Sequence, residues 1–236
     1  MKIISWNTRG LGSRKKRRVV KDFLRLENPD VMIFQETKRE VCDIRFVGSV
    51  WSVRNKEWDA LPACGASGGI LIIWDSKKLS SEEVVIGYFS VSVKFLLDGC
   101  EPLWLSAVYD PNNPLLKKGF WVELLDIFGL SFPLWCVGGN FNVIRRSSEK
   151  LGDSSFTSSM SDFDGFIRDC ELLDPPLRKT CKSHQCARDW IGFFIQMSES
   201  FSSLKAFKKF VLDGHPIIGR LFWMPILLSG AQHLLG

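Results

Sequence analysis

Residues 1–37 read MKIISWNTRGLGSRKKRRVVKDFLRLENPDVMIFQET, and this stretch sets the fold class. Ile3 to Trp6 is a short apolar run of strand length. Ser13 is placed as the N-cap of a helix reaching about Glu27, with Val19, Val20, Phe23, Leu24 and Leu26 as its inner stripe. Asn28-Pro29-Asp30 stops that helix, and Val31 to Gln35 reads as a second buried strand. Strand, helix and strand in so short a span are an α/β signature.

The same alternation continues outward. Gly69 to Trp74, Val84 to Gly87, Val91 to Leu97 and Leu103 to Val108 read as strands. Asn113-Pro114 opens a helix to about Phe128, with proline in its first turn. Leu134 to Val137 is the next strand, the Ser-rich stretch 154–161 a loop, Asp162 to Leu172 a helix, and Trp190 to Ile195 a last strand. Strands that follow one another both directly and across helices imply mixed sheets. The 236 residues show no repeat and no linker, so they form one domain.

A net charge of +5 suits a polyanionic partner without requiring one. The seven cysteines are odd in number and irregularly spaced, and no signal peptide opens the chain, which together imply reduced thiols in an intracellular protein. The most apolar segment, Ile217 to Leu235, carries Arg220, Pro225, Gln232 and His233 and does not suit a membrane span.

Four segments place polar residues at strand ends, where ligand sites of α/β proteins gather: Ser5-Trp6-Asn7, Phe34-Gln35-Glu36-Thr37, Val108-Tyr109-Asp110-Pro111 and Gly138-Gly139-Asn140-Phe141-Asn142. A carboxylate beside amide side chains suits Mg²⁺, a hard cation that prefers oxygen and keeps several waters. Taken singly, Asn7 or Asn142 reads as a turn residue, Glu36 as a solvated acid, and Tyr109 as a packed ring with a wet hydroxyl. Their joint order carries more.

That order, with its flanking residues, resembles the endonuclease/exonuclease/phosphatase family, in the branch carried by plant LINE-type retrotransposons. The opening Met1-Lys2-Ile3-Ile4-Ser5-Trp6-Asn7-Thr8-Arg9-Gly10-Leu11-Gly12 is similar to the start of those endonuclease domains. Gln35-Glu36-Thr37-Lys38 resembles the family's metal-carboxylate motif, and Gly68 to Trp74 and Tyr109-Asp110-Pro111-Asn112 follow in family order. Gly139-Asn140-Phe141-Asn142-Val143-Ile144 resembles its Gly-Asp-Phe-Asn motif, and Asp213-Gly214-His215-Pro216-Ile217 an altered Ser-Asp-His-x-Pro-Ile ending. The resemblance covers residues 1–218 and leaves 219–236 as a divergent apolar tail.

The resemblance implies a four-layer sandwich of two packed mixed β-sheets flanked by helices, with the active site in a groove where the loops of both sheets meet. It implies Mg²⁺-assisted hydrolysis of a DNA phosphodiester, with Mn²⁺ as the alternative ion. In that scheme Glu36 holds the metal with Asn7, and Asp213 lies near it. Tyr109 bonds a phosphate oxygen, position 140 orients the attacking water with Asn142 beside it, and a histidine near position 215 supports the phosphoryl group.

Several family positions are replaced. Asn140 stands where the family has Asp, and an amide cannot accept the water's proton. Gly214 takes the place of the catalytic His, with His215 one residue away. Gly192 takes the place of the Asp that orients that His, Trp190 and Phe193 replace two arginines, and Cys181 replaces a tryptophan. The expected activity is therefore weak or lost, and the ion weakly bound. The rival readings are a non-catalytic nucleic-acid-binding remnant and a related phosphatase for phospholipid or nucleotide substrates.

Lesser signals remain. The basic run Arg14 to Arg18 fits nuclear import, a DNA-backbone contact or the solvated face of the first helix. Cys181, His184 and Cys186 lack a fourth zinc ligand. Gly68-Gly69 is no phosphate loop, because no Lys-Ser/Thr follows it.

Overall fold

The computed structural model describes residues 1–64, 68–111, 113–132, 134–143 and 157–173, with the backbone of 191–197 and 222–223. It contains ten strands and four helices among the described residues: β1 (Ile3–Asn7), α1 (Arg14–Glu27), β2 (Val31–Gln35), α2 (Ile44–Val50), β3 (Lys56–Leu61), β4 (Ile70–Asp75), β5 (Ser80–Ile86), β6 (Ser90–Leu96), β7 (Leu103–Tyr109), α3 (Pro114–Leu130), β8 (Leu134–Asn140), α4 (Ser158–Asp169), β9 (Ile191–Met197) and β10 (Phe222–Trp223).

The strands form two mixed five-stranded sheets, ordered β10-β1-β2-β4-β3 and β5-β6-β7-β8-β9. In the first, β1 runs parallel to β2 and β10, and β4 lies antiparallel between β2 and β3. In the second, β7 and β8 run parallel, and the other pairings are antiparallel. Both signatures of mixed pairing expected from the sequence are present. Phe222 and Trp223, from the segment set apart as a tail, pair with Ile4 and Ser5 at the edge of the first sheet.

Period-two alternation sorts each inner strand between two cores. Ile3, Val31, Ile33, Ile70, Ile72, Val91, Val93, Leu105 and Cys136 meet between the sheets. The opposite face of the first sheet, through Ile4, Met32, Phe34, Leu71 and Ile73, packs on Val20 and Leu24 of α1 and on Phe46, Val47 and Val50 of α2. The opposite face of the second, through Trp104, Val108, Trp135 and Val137, packs on Phe120, Leu124 and Ile127 of α3 and on Met160, Phe163 and Phe166 of α4. The result is the four-layer sandwich of helices, sheet, sheet and helices.

Two sequence readings are corrected, the inner stripe of α1 and the loop over 154–161; the Ser13 N-cap position holds, and one short helix is added. Val19 and Leu26 are exposed, so the inner stripe of α1 is Val20 and Leu24 with Phe23 partly covered. Ser13 takes the N-cap backbone geometry of α1 but makes no side-chain cap bond. The stretch read as a loop over 154–161 contains the start of α4, whose N-cap Thr157 accepts from Met160 N at 3.3 Å. A short helix, α2, follows Asp43, whose carboxylate accepts from Phe46 N at 2.7 Å.

Candidate active site at the meeting of the two sheets

Asn7 is the last residue of β1 and pairs with Gln35, the last of β2. Beyond them the two loops are laced together: Thr8 N donates to Gln35 O at 2.9 Å, Gly10 N to Glu36 O at 2.6 Å, and Leu11 N to Thr37 O at 3.0 Å. The Thr8 hydroxyl adds bonds to Gln35 O and Glu36 O at 2.9 and 3.2 Å. This lacing sets Asn7 Nδ2 2.9 Å from Glu36 Oε1, while Asn7 Oδ1 accepts from Arg9 N at 3.2 Å.

The backbone here is strained. Arg9, Glu36 and Lys38 have φ of 47°, 50° and 52°, in the left-handed region that costs a side-chain-bearing residue on the order of 1–3 kcal/mol. Thr37 N and Lys38 N donate to Gly69 O and Gly68 O at 3.1 and 3.2 Å. A Cβ on Gly69 would lie 2.4 Å from Thr37 Oγ1. Gly69 therefore serves close approach beneath the Glu36 loop, and Gly68 supplies a left-handed φ of 78°.

The second sheet supplies the other half. Tyr109 and Asn140, the last residues of β7 and β8, are register partners. Asp110 N donates to Asn140 O at 2.8 Å. Asn140 Oδ1 accepts from Asn142 N at 3.0 Å, and Asn142 Nδ2 donates to Asp110 O at 2.6 Å. Asn142 also has a left-handed φ of 47°. Between these two asparagines Phe141 is buried against Phe120 and Phe163, which anchors the turn to the helical layer.

Asn140 is fully buried, and its Nδ2 has no hydrogen-bond partner among the described residues. A buried unpaired donor costs on the order of 1–3 kcal/mol, and a carboxylate at this position would not have this donor.

Tyr109 joins the halves. Its hydroxyl is held at about 12, first by burial, then by the Glu36 charge and a hydrogen bond with Glu36, with Asn142 acting in the opposite direction. It is thus a protonated donor at any physiological pH. Asn7, Glu36, Tyr109, Asn140 and Asn142 come together at one end of the two sheets, as their strand-end positions lead one to expect. Asp213, Gly214 and His215 lie outside the described residues, as do Cys181, His184 and Cys186.

Two features take on a role that the sequence alone does not give them. Asp110 is fully buried, with Lys117 Nζ 3.2 Å from Oδ2, and neither carboxylate oxygen makes a well-formed hydrogen bond. Burial raises it to about 6 despite the opposing pull of Lys117. Its signal in the sequence was an acid between a buried strand and Pro111. The second feature is cationic. Lys16 Nζ folds back onto Thr8 O, and its pKa is lowered by burial, then by Lys38 and Arg9, with Glu36 opposing. Arg17 Nη1 donates to Leu11 O at 2.8 Å, and Arg14, Lys15 and Arg18 are exposed. The basic run therefore divides between bracing the Asn7 loop and facing solvent.

Neither a protein-family model nor a curated protein matches the sequence. Solved structures do. The AP endonuclease LMAP of Leishmania major aligns with a TM-score of 0.63 at 15% identity, over 83% of this chain and 78% of that one. The 3′ phosphatase NExo of Neisseria, solved with a product DNA hairpin, aligns at 0.61 and 15% identity, over 83% and 86%. The endonuclease domain of TRAS1, a telomere-specific non-LTR retrotransposon, aligns at 0.59 and 12% identity, over 86% and 87%. The chain has the DNase I-like fold of these structures.

Proposed function

We propose that this chain is a phosphodiester hydrolase of the endonuclease type, acting on DNA with divalent-metal assistance, and that its site is weakened by substitution. The observation that carries this reading is the meeting of Glu36 with Asn7, Tyr109 and Asn142 where the loops of both sheets converge. The similarity of the fold to AP endonucleases, to a DNA-bound phosphatase and to a retrotransposon endonuclease domain supports it.

The donor set suits a hard cation held loosely. Glu36 offers one carboxylate with the Asn7 amide beside it, and the described residues contain no group of three or more His, Cys, Asp and Glu side chains. Such a site resembles the usual Mg²⁺ arrangement of one or two carboxylates, several waters and substrate phosphate. Mn²⁺ would be accepted by the same oxygens. Asp213 is proposed as a further ligand on resemblance alone. When bound, the ion would neutralise phosphate charge and polarise the reacting phosphorus.

The side chains do the rest. Tyr109 keeps its proton and would turn it from Glu36 to a non-bridging phosphate oxygen, with the Asn142 amide beside it steadying the Tyr109 oxygen. Water attacks phosphorus, a new P–O bond forms as the bond to the leaving sugar oxygen breaks, and the water's proton must leave. Asn140 cannot take that proton, because its amide nitrogen is a donor and its Oδ1 already accepts from Asn142 N. His215 is proposed to support the leaving charge in place of the residue replaced by Gly214. Slow hydrolysis follows from the missing base.

A second reading is a nucleic-acid-binding domain without catalysis, favoured by the Arg9, Lys16 and Lys38 cluster beside Glu36. Nicking of supercoiled plasmid in Mg²⁺ or Mn²⁺ separates the two. We expect slow nicking that disappears in Glu36→Ala; wild type that binds plasmid and never nicks it supports the second reading.

A further inference from the structure

Gly87-Tyr88-Phe89 forms the tight tip of the hairpin between β5 and β6. The tip stands at the same end of the second sheet as the candidate site. Ser90 pairs with Val108, and Phe89 O accepts from Tyr109 N at 3.0 Å. Phe89 thus lies opposite Tyr109, which puts the Tyr88 Cα within about 9 Å of the Tyr109 Cα. That is roughly three base steps of nucleic acid. Tyr88 is 89% exposed, more than any other large hydrophobic side chain among the described residues.

A lone exposed aromatic needs no explanation by itself. Here the backbone beneath it is fixed from two sides. Glu123 of α3 accepts from Tyr88 N at 2.8 Å, Phe89 N at 3.1 Å and Ser90 Oγ at 2.5 Å. A Cβ on Gly87 would fall 2.2 Å from Glu123 Oε1, so glycine admits the carboxylate. The rings also form a chain: Tyr88 lies 6.5 Å from Phe89, Phe89 5.8 Å from Phe120, and Phe120 6.2 Å from Phe141, the residue between Asn140 and Asn142. The exposed ring is therefore mechanically continuous with the site turn. Gly119 of α3 lies beside the tip, where a Cβ would be 3.7 Å from the Phe89 ring.

We propose that Tyr88 is a stacking platform for an unpaired base of the DNA strand that crosses the Glu36–Tyr109 site. The proposal rests on the DNA reading above and adds a strand state to it. Stacking on an aromatic tolerates any base, because every base offers a π-face, but it needs that face uncovered. A continuous duplex covers it, whereas a flap, a frayed end or a gapped strand does not. A rigid tip matters because a ring on a mobile loop would lose the gain to ordering.

The test is fluorescence anisotropy of a labelled single-stranded oligonucleotide and of the same sequence as a blunt duplex, in chelator and therefore without catalysis. Tyr88→Ala should weaken single-strand binding about tenfold and duplex binding less than twofold, whereas Tyr88→Phe and Tyr88→Trp retain it. Glu123→Ala, which frees the tip but keeps the ring, should give a smaller loss on the single strand. Circular dichroism checks that each variant is folded. Single-strand binding by Tyr88→Ala within twofold of wild type overturns the stacking role and leaves the DNA reading intact. Equal loss on both probes also overturns it, since the contact is then not with an exposed base. Wild type that binds neither probe overturns the DNA reading and the stacking role together.

Discussion

Asn7 and Glu36, 29 residues apart, are joined by one hydrogen bond of 2.9 Å from the amide nitrogen to carboxylate Oε1. Because the amide oxygen is turned to Arg9 N, Asn7 orients Glu36 without adding charge. The carboxylate is thus fixed, yet it acts on Lys16, which also feels the cations Lys38 and Arg9. Those charges oppose a metal ion and favour a phosphate.

Divalent binding should therefore be weak in the free protein and tighter with DNA present. Titration calorimetry should give a millimolar-range Mg²⁺ affinity, on the order of 4 kcal/mol, that vanishes in Glu36→Ala and falls in Asn7→Ala. Tight binding that survives Glu36→Ala would remove Glu36 from the proposed site.

Tyr109 offers a spectroscopic check, because the chain has only two tyrosines. In Tyr88→Phe the remaining phenol is Tyr109, and tyrosinate absorbance should stay low until the pH approaches about 12. Glu36→Gln removes a neighbouring negative charge and should bring that ionisation down. A Tyr88→Phe protein that is still folded by circular dichroism yet half-ionised near pH 10 would mean that Tyr109 is not enclosed by the site.

Much of this arrangement is legible in the amino-acid sequence. Strands β1, β2, β4 and β7 announce themselves as unbroken apolar runs because both their faces are covered. The residues at or just past their ends, Asn7, Glu36 and Tyr109, follow from that. Strand β3, with Lys56, Glu57 and Asp59 on a partly exposed edge, gave no such run and was missed, as was the seven-residue α2. The polar half of β5, Ser80 to Glu83, hid for the same reason. Asp110 escaped because its meaning lies in burial against Lys117 seven positions on, which no local pattern encodes. The positive φ of Glu36 was equally invisible, since nothing in a Glu signals left-handed backbone.

The Asp110–Lys117 pair should leave a pH signature. With its pKa raised to about 6 in the fold, Asp110 holds its proton more tightly folded than unfolded. Its contribution to stability is therefore greatest below about pH 4, declines as pH rises through the folded value, and is flat above it. The difference across that window is on the order of 2–3 kcal/mol for a buried carboxyl. Asp110→Asn should cancel this slope when denaturation curves of the two proteins are compared from pH 4 to 7. At pH 7 it should be no less stable than wild type, because Lys117 is near enough to solvent to stand alone. An unchanged slope would show that Asp110 is solvated in the folded protein.

Glycine substitutions separate the strained site from the scaffold. Gly139 has φ of 153°, and a Cβ there would lie 2.0 Å from Val108 O. Gly139→Ala should thus force β7 from β8 and cost more than about 3 kcal/mol, with loss of whatever DNA activity is present. Gly165, within α4, has nothing within 4 Å of a new Cβ. Gly165→Ala should stabilise the protein by about 0.5–1 kcal/mol and leave DNA binding unchanged. Urea denaturation of both variants decides this, and a tolerated Gly139→Ala would contradict the close approach of β7 and β8.

The most demanding prediction concerns restored chemistry. Asn140 Nδ2 is buried without a partner among the described residues, while Oδ1 already holds Asn142 N, so Asn140→Asp exchanges the orphan donor for a carboxylate oxygen and keeps the bond that shapes the turn. That oxygen would give the attacking water a proton acceptor. Gly192 of β9 pairs with Gly139, one register step from Asn140, so Gly192→Asp places a second acid on the strand beside the site. Gly214→His returns the imidazole that the family motif carries at that position. The triple variant should nick plasmid at least ~100-fold faster than wild type, because general acid–base groups each contribute about 10²–10⁴-fold and act as a unit. Asn140→Asp alone should recover little, since the leaving oxygen would still lack support. Folding must be matched by circular dichroism first, because Asp at 192 lies opposite a glycine that tolerates no Cβ of its own. If both proteins fold and wild type already nicks as fast, the weakened-site reading is wrong, and His215→Ala then tests whether His215 has taken over the missing role.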